Sequence, residues 1–168
     1  HWAARVNDQE TARQLLGAGA NAKAANRYGV TPLSLACVNG SAGMIEILLK
    51  AGADPNTMLP EGETVLMTAA LTGKADAVRM LLDHEANANA KESWRGQTAL
   101  MWASSEGNAE AAQALIEHGA DVHAVSKAGF TPLLFAVREG HIDAVRVLLE
   151  GGASLKEAMQ LARHSDPK

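Results

Sequence analysis

The sequence predicts an all-α solenoid of stacked helix-turn-helix units with turns protruding between them. Three observations predict it. The 168-residue chain repeats itself: aligning Thr31, Thr64, Thr98 and Thr131 gives steps of 33, 34 and 33 residues. Each copy is punctuated alike, with threonine opening a short apolar run and glycine closing it. The composition is 47% hydrophobic but only 4% aromatic, so the apolar content is mostly Ala, Leu and Val. Such residues favour many close contacts between small helices over one bulky centre. Self-similarity at this period marks a solenoid whose units bury their faces only on one another.

Within a unit, Thr31 and Thr131 precede prolines, the arrangement of an N-cap followed by the first helical position. The spacing predicts a first helix over Pro32–Asn39, ending at Gly40, with Gly73, Gly107 and Gly140 as its counterparts. A second helix over Ala42–Ala51 has Met44, Ile45, Leu48 and Leu49 at helical spacing and closes at Gly52. Asp76, Glu110 and Asp143 stand in the first turns of second helices, where they oppose the helix dipole. A polar loop follows, with Gly29, Gly62, Gly96 or Gly129 turning its tip.

The four copies read GVTPLSLACVNG, GETVLMTAALTG, GQTALMWASSEG and GFTPLLFAVREG, continuing as LLKAGADPN, LLDHEANAN, LIEHGADVH and LLEGGASLK. This resembles the ankyrin repeat, with its TPLxxA and LLLxxGADxN signatures. The resemblance covers about residues 1–156 and implies an ankyrin-repeat solenoid with protruding β-turn or hairpin loops. It also implies a concave face of first helices and turn tips, and a convex face of second helices. The expected organisation is one domain over 1–168. It comprises a truncated repeat (1–25), repeats at 26–58, 59–92, 93–125 and 126–156, and a cap helix with tail (157–168). The cap helix is read from Leu155, Ala158, Met159 and Ala162, which fall on one stripe. Val65 and Ala99 depart from the expected proline, Ser34, Met67, Met101 and Leu134 from the usual histidine, and Glu85 from a glycine slot. Glu92 is read as the residue inserted in the 34-residue step.

Net charge is -4, from 15 basic and 19 acidic residues, which favours neither nucleic acid nor an anionic membrane. The lone Cys37 excludes an internal disulfide and fits a reducing compartment, with the cytoplasm favoured. No apolar stretch is long enough to span a membrane, and no basic segment leads into an apolar signal core. No phosphate-cradling, dinucleotide or nucleophile-elbow motif occurs, so no catalytic residue is assigned. His84 and His118 share a repeat position one copy apart, too far to chelate one ion together. His118 and His123 lie close in sequence with Asp121 between them. A site needs three or four converging ligands, however, and no H-x-x-x-H or C-x-x-C spacing occurs, so no metal and no cofactor are expected.

A binding function remains. Tyr28, Trp94 and Phe130 fall at turn tips or just before first helices, beside Arg27, Arg95, Lys127 and Arg138. These seven residues form the expected partner-binding set, with Glu61, Glu63, Glu106 and Glu139 interleaved. Charges of both signs favour a protein or peptide partner over a polyanion, and the chain by itself is expected to be a monomer. Trp94 and Phe130 are the expected anchors. Trp2 and Trp102, at one repeat position, are expected in the core. A second reading makes the segment a targeting or regulatory part of a larger enzyme or toxin-like protein. A third makes it a spacer, whose tips would carry small polar residues instead.

Overall fold

Each first helix begins where a threonine hydroxyl replaces the missing partner of a backbone N–H. The Thr31, Thr64, Thr98 and Thr131 hydroxyls accept from the N–H of Ser34, Met67, Met101 and Leu134, at 3.1, 3.3, 3.3 and 3.2 Å. The caps at Thr64 and Thr98 form without a following proline, so Val65 and Ala99 are tolerated. Ser34, standing where the resemblance leads one to expect histidine, accepts from the Thr31 N–H at 3.0 Å and completes a capping box. Gly40 ends its helix with φ = 63°, in the left-handed region.

The computed structural model describes residues 1–156, 159 and 160. The first helices are α1 (Trp2–Arg5), α3 (Pro32–Asn39), α5 (Val65–Thr72), α7 (Ala99–Ser105) and α9 (Pro132–Glu139). The second helices are α2 (Gln9–Gly17), α4 (Ala42–Lys50), α6 (Ala75–Asp83), α8 (Ala109–Glu117) and α10 (Ile142–Glu150). Expected and observed bounds agree at α3, and α4 stops one residue early, with Ala51 as its C-cap. First helices stack on first helices and second on second, giving two rows. None of the described helices is long and apolar enough to cross a membrane.

The core lies between the rows and repeats with them. Leu33, Leu66, Leu100 and Leu133 are at most 1% exposed, and Ala36, Ala69, Ala103 and Ala136 are fully buried. The alanine column lets first helices approach closely. Leu48, Leu81, Leu115 and Leu148 answer it from the second row. Burying a leucine contributes about 1.5–3 kcal/mol, and here the covering helices come both from the same copy and from its neighbours.

Polar ladders hold the outer loops in register. Asn21, Asp54, Asn87 and Asp121 each accept, on a side-chain oxygen, from the N–H two residues on. Asn56 and Asn89 bridge copies: each amide donates to a carbonyl of the next copy (Glu85, Gly119) and accepts from an N–H there (Asn87, Asp121), at 2.8–3.2 Å. On the other side, the Asn108 amide donates to the Ala70 and Leu71 carbonyls at 2.9 and 3.0 Å.

Two expectations are corrected. Trp2 is 65% exposed, not core. Its helix, α1, packs on α2 and α3 through Ala3 and Ala4, which are buried, and the indole stays on the outside. Glu92 is not the inserted residue. It occupies the turn-base position shared by Asn26, Leu59 and Ser126, whose N–H bonds the carbonyl of Val30, Glu63, Gln97 or Phe130 across the tip. The extra residue lies within the tip, between Glu92 and Gln97. Leu155 and Met159 of the expected cap helix are each 50% exposed, while residues 157, 158 and 161–168, including Ala158 and Ala162, lie outside the described residues.

Candidate protein-docking face

The turn tips are built by the side chain at their base. The Asn26 side-chain oxygen accepts from the N–H of Tyr28 and Val30, at 2.9 and 3.1 Å, and the Ser126 hydroxyl accepts from the Phe130 N–H at 3.1 Å. In the longer tip, Glu92 supplies a longer acceptor. Its carboxylate takes the N–H of Trp94, Arg95 and Gln97 at 2.6–2.8 Å, and the residue is 6% exposed. Burial alone would raise its pKa. The N–H groups of Gln97, Arg95 and Trp94, aided by Lys127, outweigh burial and hold it below the ordinary carboxylate value. A carboxylate thus organises the tip that presents Trp94. Reading the sequence missed this role; the signal was a glutamate at the register position of Asn26 and Ser126.

Neighbouring tips pack closely. At Gly62 (φ = 85°) a Cβ would lie 2.6 Å from the Ser93 Oγ, so that hydroxyl would have to turn away. The Lys127 N–H donates to the Arg95 carbonyl at 2.9 Å, tying one tip to the next.

The seven expected residues fall along this edge. Tyr28 and Trp94 project, 62% and 76% exposed, each with its own arginine stacked 4.7 Å from the ring centroid, Arg27 on Tyr28 and Arg95 on Trp94. Phe130 differs: it is half-buried, packed 5.4 Å from Phe135, with Arg138 5.2 Å from both rings. It closes a small cluster with Met101 and Ala124. Phe135, at the repeat position of Trp102, is 6% exposed and yet stands on the groove wall. Trp102, half-buried against the core as expected, also reaches the groove, and its indole N–H is buried with no acceptor among the described residues.

Three hollows run along the tips. Arg27 and Tyr28 face Leu59, Pro60, Glu61 and Glu63 across a hollow of about 560 Å³. Glu61 and Glu63 also line a smaller one of about 180 Å³, with Glu92, Trp94, Arg95, Gln97 and Trp102. Trp94, Arg95 and Gln97 then wall a third, of about 520 Å³, shared with Lys127, Phe130, Phe135 and Arg138. The shared walls join them into one groove. Five expected residues meet in its last part, and Arg27 and Tyr28 lie at the far end.

Groups with chemical potential elsewhere are held in structural roles. Cys37 is fully buried, which pushes its thiol up to about 12. His84 and His118 each place Nδ1 against a carbonyl one turn back, Met80 at 2.9 Å and Ala114 at 2.8 Å. The His118 Nε2 lies 3.1 Å from an Asp83 carboxylate oxygen. The Ala114 carbonyl and then Asp83 raise the His118 pKa.

Fold and edge together define a helical repeat solenoid with a concave groove along its turn tips. A family model for ankyrin repeats (three copies) matches residues 1–92, 44–126 and 84–158, and the chain belongs to this family. Ankyrin repeats are generally protein–protein interaction modules, and the family is typically non-catalytic. The chain is similar to Ankyrin repeat and SOCS box protein 16 of Homo sapiens, 55% identical over 42 residues, and to that of Mus musculus, 52% identical over 42 residues. Each match covers 25% of this chain and 9% of the relative's length.

Proposed function

We propose that this chain is a protein-interaction module that docks a protein or peptide partner in the groove between Arg27–Tyr28 and Arg138. The observation that carries the reading is the continuous groove with Trp94 projecting from it, 76% exposed. A large ring gains nothing for the fold when held in water, whereas aromatic and arginine side chains dominate the energetics of docking. Val38 (59% exposed) and Leu71 (43%) occupy the repeat position of Ser105 and Arg138 and extend an apolar surface along the first helices. Opposite charges at Arg27, Glu61, Glu63 and Arg95 suit the mixed surface of a protein and oppose a polyanion.

The test is affinity capture on three baits: the wild type, a Trp94→Ala/Arg95→Ala variant, and an Arg79→Ala control on the second-helix row. Partners should be lost from the groove variant and kept by the control, with melting temperatures unchanged. Equal capture by all three overturns the reading.

A further inference from the structure

The groove changes sign along its length. Its last hollow is lined by Arg95, Lys127 and Arg138 and by no carboxylate, in a chain of net charge -4. The Arg95 guanidinium lies on Trp94 with no carboxylate partner among the described residues. The Lys127 ammonium donates to the Ser93 carbonyl at 2.6 Å. Arg138 is the one of the three with a paired carboxylate, Glu139 at 2.7 Å. Cationic groups fixed over aromatic rings, with donors to spare, are a receptor for a carboxylate. Phe130 and Phe135 give an apolar floor beside them.

The adjoining hollow carries three carboxylates against one cation, Arg95. Glu61, Glu63 and Glu92 line it. Glu92 is taken up by the tip's N–H groups, and the ion pairs of the described residues involve neither Glu61 nor Glu63. Burial first, and then the charges of Glu61 and Glu92, raise the pKa of Glu63. The two hollows share Trp94, Arg95 and Gln97 as walls, so one ligand can occupy both. They belong to successive copies, and stacked helices lie about 8–10 Å apart. An extended chain covers that distance in about three residues, at about 3.3 Å each.

We propose that the partner docks here as an extended segment, with an acidic side chain between Arg95, Lys127 and Arg138 and a basic one, two or three residues away, over Glu61 and Glu63. This rests on the groove being the docking face. A ligand of one sign meets repulsion in one hollow, so the dipolar pattern sets register and excludes polyanions.

The probe is a phage-displayed library of random peptides about 12 residues long, panned on the full chain. Selected peptides should pair Lys or Arg with Asp or Glu at that spacing. Their binding, read by fluorescence polarisation, should weaken about tenfold on Glu61→Lys/Glu63→Lys. Panning on that variant should keep the acidic preference and lose the basic one. Glu61→Gln/Glu63→Gln, which keeps shape, should weaken binding in the same direction if the reversal variant fails to fold. Peptides without the charge pair, or affinities indifferent to both variants, overturn the proposal. The docking reading survives that outcome if the peptides still lose binding to Trp94→Ala. Recovery of no peptides, or of peptides indifferent to Trp94→Ala, overturns both.

Discussion

At the scale of residues, the repeat frame explains its own exceptions. Glu85 stands where other copies place Gly19, Gly52, Gly119 and Gly152, and its φ of 68° is left-handed as theirs are. A Cβ there costs about 1 kcal/mol, and the charge meets the negative end of the α6 dipole. Glycine would add freedom to the unfolded chain, worth about 0.4–1 kcal/mol. Glu85→Gly should therefore be neutral to stabilising by a few tenths of a kcal/mol, by about the margin of those opposing terms; a loss above about 1 kcal/mol in urea unfolding would mean the side chain has a partner that matters. Glu92 is the opposite case, a charge the fold needs. Removing it orphans three backbone N–H groups, and hydrogen bonds to charged groups contribute about 1.5–3 kcal/mol. Glu92→Ala should cost about 2–3 kcal/mol in the same assay and loosen the tip that carries Trp94; a cost below about 0.5 kcal/mol would contradict the capping role. The strained backbone at Glu85 was legible in the sequence because it follows from register alone. The role of Glu92 was not, because it depends on which backbone groups the longer tip turns inward.

At the scale of elements, helix ends were legible and helix surroundings were not. Thr-Pro starts and glycine stops act through local hydrogen bonds and backbone angles, so α3 appears where its residues predict it. The packing of Trp2 and Phe130 depends on neighbours instead. One stays outside while Ala3 and Ala4 of its helix take the buried face, and the other meets Phe135 one helical turn further on. The link between α6 and α8 is likewise tertiary, with His118 of the α8 C-cap reaching Asp83 of α6. His118 holds its proton more tightly folded than unfolded, because the charged ring satisfies both Ala114 and Asp83. A raised folded pKa gives stability that is full below the ordinary value of 6.5 and is lost as pH rises through the folded value. The stability gap between wild type and His118→Gln should narrow as pH rises from about 5 to about 8. A gap that widened with pH, in urea titrations across that range, would contradict the assignment.

At the scale of the molecule, cohesion comes from neighbour contacts repeated along two rows. Deleting residues 126–168 should leave the preceding copies folded at reduced stability, because α1–α8 keep their mutual contacts. Circular dichroism of that truncation should retain a helical spectrum, and complete loss of structure would contradict a modular solenoid. Modularity also leaves room to separate folding from binding: rows and tip bases carry stability, and exposed tip residues such as Trp94 are free to carry recognition. Trp94 and Phe130 divide along that line, one projecting and one packed. The most direct measurement is therefore a paired one, titration of a captured partner alongside thermal unfolding, on Trp94→Ala and Phe130→Ala. Trp94→Ala should weaken binding by about 1–3 kcal/mol at an unchanged melting temperature, while Phe130→Ala lowers both affinity and melting temperature. Full affinity in Trp94→Ala, or a fall in its melting temperature that accounts for the lost binding, would contradict docking at the turn tips.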